Sequence, residues 1–141
     1  MTPVQLLRAY AAIANGGKLV KPRINSKAIP EYTKLEVAPE IIKIMQEGLR
    51  EVASTGTGRR ASSFGVQIAG KTGTAQNAHG EDHAWFAGYA PANAPRYAVV
   101  VIAEAGKGGG AVAGPIVGKM LNLLINGNKY AEPAPVKPKT E

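Results

Sequence analysis

Apolar residues recur at helical spacing in three stretches of this chain and in strand-like runs in three others. Leu6, Leu7, Tyr10, Ala11, Ile13 and Ala14 fall at the spacing of one helix face. The stretch opens on Thr2-Pro3-Val4-Gln5 and closes on Asn15-Gly16-Gly17. Thr2 can cap, Gln5 completes a capping box, Pro3 suits the first helical position, and the glycines end the helix. Pro39-Glu40 opens a second helix. Its Ile41, Ile44, Met45, Leu49 and Val52 form an apolar stripe, with Lys43, Glu47, Arg50 and Glu51 opposite, the pattern of a helix packed on a core. A third helix has Pro115 in its first turn and Ile116, Val117, Met120, Leu121 and Leu124 on one stripe.

Strands are predicted over Val66 to Gln76, His83 to Ala90 and Tyr97 to Ala103. Connections of about six residues favour antiparallel neighbours over helical crossovers. The run Val99-Val100-Val101-Ile102 is apolar on both faces, which predicts cover on both sides. Lys18 to Ile24 reads as a short extended piece broken by Pro22, and residues 25–38 as irregular with one short strand near Thr33 to Val37. Residues 54–65 form a polar loop, and Gly106 to Gly110 a flexible one. The fold class is α+β: an antiparallel sheet of three central strands flanked by helices. Residues 1–127 carry this pattern. Residues 128–141 hold Pro133, Pro135 and Pro138 among alternating charges and read as a disordered tail.

Composition narrows the function classes. A chain of 141 residues with 45% apolar content holds one domain or a large piece of one. No apolar run approaches the roughly 18 residues of a membrane span, and no N-terminal stretch has the form of a signal peptide. Cysteine is absent, which excludes disulfides and thiolate metal sites. The net charge of +7 is scattered, with only Arg59-Arg60 adjacent and few aromatics. A nucleic-acid surface needs a basic stripe and a reading element, so none is expected.

The chemistry concentrates in Gly70-Lys71-Thr72-Gly73-Thr74-Ala75-Gln76. On a strand, Lys71, Gly73 and Ala75 point to one face and Thr72, Thr74 and Gln76 to the other. Gly73 lets a ligand lie against the backbone. Such an edge offers a cation, hydroxyls and unpaired N–H groups to an anionic, peptide-like ligand. The octapeptide Gly65 to Thr72 also satisfies the phosphate-loop pattern. A phosphate loop follows a strand and opens a helix, whereas Val66-Gln67-Ile68-Ala69 is itself strand-like and Gly73-Thr74 starts no helix. His79-Gly80-Glu81-Asp82-His83 gathers imidazoles and carboxylates, but on a loop with no third anchored ligand. No metal and no cofactor is expected, and the segment reads as a solvated turn.

Gly70 to Gln76 resembles the Lys-Thr-Gly motif of the penicillin-binding proteins and serine β-lactamases. The likeness extends in order along residues 1–127. Met1 to Gly17 resembles the helix that penicillin-binding transpeptidases carry ahead of that strand, Thr57-Gly58 with Ala61 a segment between, and His83 to Pro91 and Tyr97 to Glu104 the strands after it. Lys18 to Pro22 leans toward the monofunctional, elongation-type members. The resemblance implies a peptidoglycan D,D-transpeptidase working through an acyl-serine and acylated by β-lactams. Its substrate would be the D-Ala-D-Ala stem peptide, and its place the periplasmic, extracytoplasmic face of the inner membrane. It implies catalytic roles for Lys71 and for Thr74, whose backbone N–H would form half of an oxyanion hole. Thr72, Gly73, Thr74 and Gln76 would bind substrate.

The family also needs Ser-x-x-Lys and a Ser-x-Asn triplet, and neither occurs in the chain. The expectation is one wall of an active site, inactive alone and completed by the rest of a transpeptidase domain. A non-catalytic module holding carboxylate-terminated peptides on the same edge is the alternative. A bare sheet edge and partly bare strand faces predict self-association or strand exchange.

Overall fold

The computed structural model describes residues 1–127; the tail read from the sequence over residues 128–141 lies outside them. Helix α1, Pro3–Ala14, begins with the expected reciprocal cap. The Thr2 hydroxyl accepts from the Gln5 backbone N–H, and the Gln5 side chain accepts from the Thr2 N–H at 2.7 Å. Gly16 and Gly17, at φ 81° and 98°, turn the chain out of the helix. Asn15 then fixes the exit, its side chain bonding both the N–H and the carbonyl of Lys18.

Two short strands follow. β1, Lys18–Val20, pairs antiparallel with β2, Tyr32–Lys34. This ribbon differs from the reading of an extended piece to Ile24 and a strand near Thr33 to Val37. Leu19 pairs with Thr33, and the strand ends where the Leu35 N–H turns to the Gly17 carbonyl.

Helix α2, Pro39–Ser54, faces the body with a row that shares only Leu49 and Val52, both half-buried, with the predicted stripe. Ile42 and Ala53 are buried, with Gln46 and Leu49 half-buried beside them. Ile41, Ile44 and Met45 remain 49%, 63% and 43% exposed. Gln46 sets this rotation: its amide donates to the Ile13 carbonyl at 2.7 Å, locking α2 onto α1.

The main sheet has the order β3-β4-β5, all antiparallel: Ala69–Ala75, His83–Ala90 and Tyr97–Ala103. β3 starts at Ala69 rather than Val66; Val66 and Ile68 are buried ahead of it without strand pairing. Lys71 pairs with Ala87 and Gly73 with Trp85; Phe86 pairs with Val101. On one face Ala69, Tyr89 and Ala92 pack with Ile13, Ala14, Leu49 and Ala98. On the other, Phe86, Ala84 and Val99 pack with Ala61, Ile68, Val117 and Leu121. β5 is the outer strand; Val99 is buried and its other residues are half-buried, with α1 against one face and the last helix against the other, the two-sided cover expected of it.

Gly106 to Gly110 does not form a free loop throughout. A π-type turn over Gly109–Ala113 leads straight into α3, Gly114–Asn126. In α3 the packed row is Val117, Gly118, Leu121 and Asn122. Ile116, Met120 and Leu124 from the predicted stripe stay exposed. Gly118 explains the choice, because a β-carbon there would run into the Phe64 ring and the Ala61 carbonyl. The helix therefore approaches closest along that row.

Candidate functional site

β3 is an edge strand: β4 occupies one side, and no strand of the described residues takes the other. The edge carries Lys71 and Thr74, both exposed, with Thr72, Gly73 and Ala75 half-buried between and after them. Gln76 is exposed just past the strand end. An open edge leaves alternate backbone N–H and C=O groups for an extended ligand. The strand continues through Lys71 to Ala75, so no helix N-terminus follows the lysine and the phosphate-loop reading fails.

A hydroxyl relay sits behind the cation. Lys71 Nζ donates to the Thr72 carbonyl oxygen at 2.9 Å and to the Thr72 hydroxyl at 3.3 Å. The Thr72 and Thr57 hydroxyls lie 2.8 Å apart, and either can donate. An ammonium has only donors, so Thr72 accepts from Lys71, which leaves its own proton for Thr57. Thr57 was not among the site residues expected from the motif. Its Thr-Gly-Thr-Gly setting carried a hint, since a hydroxyl on a tight glycine loop is often a backbone-facing partner.

Lys71 and Gly73 also form one wall of a cavity of about 290 Å³ between β3, β4 and α1. Leu6, Tyr10, Trp85 and Ala87 supply the apolar remainder. Burial in this region raises the Tyr10 phenol above its ordinary value by desolvation. The Trp85 indole N–H is buried and has no hydrogen-bond partner among the described residues. Tyr10 and Trp85 reach Lys71 only through tertiary packing, which spacing along the chain does not reveal.

The opposite side of β3 is backed by the π-type turn. A β-carbon built on Gly110 would meet the Thr57 carbonyl and, at 3.5 Å, the Thr72 methyl. The loop between β3 and β4 is tied to the same region. The Asp82 carbonyl accepts from the Lys107 N–H at 3.1 Å, His83 Nδ1 accepts from the Ala105 N–H at 3.2 Å, and Glu81 pairs with Lys107 at 3.3 Å. Asn77 and Asp82 close the loop on itself. Among the described residues no group of three His, Asp or Glu side chains is placed to hold a metal.

The model of the penicillin-binding protein transpeptidase domain matches residues 1–122. The chain belongs to this family. Stage V sporulation protein D of Bacillus subtilis is 35% identical over 143 residues, covering 86% of this chain and 22% of that protein. Peptidoglycan D,D-transpeptidase FtsI of Escherichia coli K12 is 37% identical over 137 residues, covering 89% and 23% respectively. Among solved structures, the ceftriaxone acyl-enzyme complex of penicillin-binding protein A from M. tuberculosis superposes with a TM-score of 0.79 at 30% identity. It covers 89% of this chain and 32% of that one. The chain thus spans about a quarter of these curated relatives.

Proposed function

We propose that this chain is the C-terminal segment of a peptidoglycan D,D-transpeptidase and supplies the Lys-Thr-Gly wall of its active site. The observation that carries the reading is the open edge of β3, with Lys71 and Thr74 exposed along it, in a chain matched to the family over residues 1–122. A serine supplied by the rest of the domain attacks the carbonyl between the two terminal D-alanines. An acyl-serine ester forms, the amide bond breaks, and the terminal D-Ala leaves with a proton. An acceptor amine then displaces the serine. Lys71 attracts the substrate carboxylate and steadies the proton-transfer network, and the Thr74 N–H stabilises the developing oxyanion. The Thr72 and Thr74 hydroxyls hold the carboxylate, Gly73 admits the substrate backbone, and Gln76 extends the cleft edge. β-Lactams, as mimics of the same peptide, acylate that serine.

Residues 1–127 belong to the transpeptidase domain under this reading, and the working protein sits on the extracytoplasmic face of the inner membrane. No helix among the described residues is long and apolar enough to cross a membrane. The 141 residues contain no Ser-x-x-Lys, and positioning alone cannot make an acyl-enzyme. The chain by itself is inactive.

Two measurements test this. Intact mass after incubation with penicillin G shows no covalent adduct on the chain alone; a stoichiometric adduct overturns the proposal. Residues 1–127 exchanged for the matching part of penicillin-binding protein A support acylation in that chimera. Lys71→Ala then slows it by about 10²-fold. A folded chimera whose acylation ignores Lys71 leaves the peptide-holding module as the better reading, testable by titrating the chain with a D-Ala-D-Ala peptide.

A further inference from the structure

Thr57 lies on a loop outside the Lys71 motif, yet its hydroxyl stands 2.8 Å from that of Thr72. We propose that Thr57 is a positioning residue for carboxylate recognition. It reverses its hydrogen bond to Thr72 when a carboxylate arrives, and so releases the Thr72 proton to that carboxylate. The inference rests on the reading of the β3 edge as the wall that holds the substrate carboxylate.

Main-chain contacts hold Thr57 in place for this. The Gly56 carbonyl accepts from the Arg59 N–H at 3.2 Å, closing a tight turn with Thr57 inside it. The Gly58 N–H donates to the Val52 carbonyl at 3.0 Å, tying that turn to the end of α2. A β-carbon on Gly110 would meet the Thr57 carbonyl, so the main chain of the π-type turn also closes on it. The Thr57 side chain stays exposed.

Proton counting gives the reversal. A threonine hydroxyl has one proton and two lone pairs, an ammonium has donors only, and an ionised carboxylate has acceptors only. Lys71 Nζ takes one lone pair of Thr72 at 3.3 Å. Without a ligand, the Thr72 proton is left for Thr57. A carboxylate against Thr72 can only accept, so that proton turns to it. Thr57 then donates into the second lone pair of Thr72. Thr72 now accepts from an ammonium and a hydroxyl while donating to an anion, and each bond polarises the next. Each hydroxyl keeps its own hydrogen and only rotates. A valine at 57 cannot donate, which leaves Thr72 less polarised and its hydroxyl unfixed.

The test titrates the full chain with N-acetyl-D-Ala-D-Ala and with the same dipeptide as its C-terminal carboxamide. The Thr72, Gly73 and Thr74 amide resonances report binding. The wild type prefers the carboxylate. Thr57→Val lowers carboxylate affinity by about three- to tenfold and leaves carboxamide affinity within about twofold. Thr57→Ser, which keeps the hydroxyl, restores the preference. Thermal melts establish that both variants, made at an exposed position, are folded. Equal loss for the two ligands, or no rescue by serine, marks a merely structural role and overturns the proposal. Lys71→Ala separates this inference from the reading beneath it. A preference lost in Lys71→Ala but whole in Thr57→Val overturns the reversal and leaves the reading standing. A wild type without carboxylate preference, or a preference that survives Lys71→Ala, means that the edge does not hold carboxylates, and both fall.

Discussion

Gly109 lies so close to Gly73 that a β-carbon built on it would stand 2.5 Å from the Gly73 carbonyl oxygen and 3.0 Å from its nitrogen. The turn that opens α3 is thereby pressed against the backbone of the strand bearing Lys71. The side of β3 facing this turn is fixed by contact with main chain, which has no rotamer to yield.

Gly109→Ala should therefore cost about 1–3 kcal/mol of stability, as overpacking against backbone does. Gly108→Ala is the control. A β-carbon there meets only the Ala111 side chain at 4.0 Å, and its effect should be close to neutral. Urea unfolding of the two variants distinguishes a packed turn from a free glycine loop, for which both would behave alike.

The Thr57 and Thr72 hydroxyls should prove coupled. Each changed singly to Val loses the 2.8 Å bond, and the double variant loses it once. A double-mutant cycle on stability should give a coupling of about 0.5–1 kcal/mol. A coupling of zero would mean that the relay behind Lys71 does not hold.

Tyr89 is fully buried, yet its hydroxyl has no hydrogen-bond partner among the described residues. Tyr89→Phe should be neutral or stabilising by up to about 1 kcal/mol, since it removes a buried polar group without orphaning another. A loss of more than that would reveal a partner for the hydroxyl.

Stability should also fall at high pH. Burial raises the Tyr89 phenol above 10.0, with Arg50 pulling partly back, and desolvation raises Tyr10 in the same direction. The unfolded chain then gives up these protons first. Their contribution is whole below the unfolded value near 10 and is lost as pH climbs through the folded values. The melting temperature should drop above about pH 10, and the double change of Tyr10 and Tyr89 to Phe should flatten that drop.

The reciprocal cap of Thr2 and Gln5 was legible because capping is local, and so were the three strands, which the turns between them delimit. The Lys71 motif was legible because its residues are contiguous. The packed row of α2 was not. Ile41, Ile42, Ile44 and Met45 offer two overlapping stripes, and the bond from Gln46 to Ile13 selects between them. Gly109 carried no signal in a run of glycines, which have no side-chain pattern to read. Tyr10 and Trp85 are separated from Lys71 along the chain, so their place in the cavity wall belongs to the tertiary fold. Val66 was read into β3 because its burial imitates strand patterning without a ladder partner.

The Phe86 ring has a wider consequence. β-carbons built on Gly70, Gly88 and Gly58 would come within 2.6, 3.0 and 3.3 Å of its atoms, and one on Gly114 within 3.7 Å. Gly70, Gly88 and Gly58, from three separate segments, thus leave room for one side chain, while a β-carbon on Gly114 would make only ordinary contact with it. The ring and these three positions are mechanically coupled. An alanine at Gly70 would need more than a smaller ring at 86, because its β-carbon would also stand 2.7 Å from the Ala87 carbonyl oxygen and 2.9 Å from the Gly88 Cα, so the pairing of β3 with β4 itself holds that position to glycine.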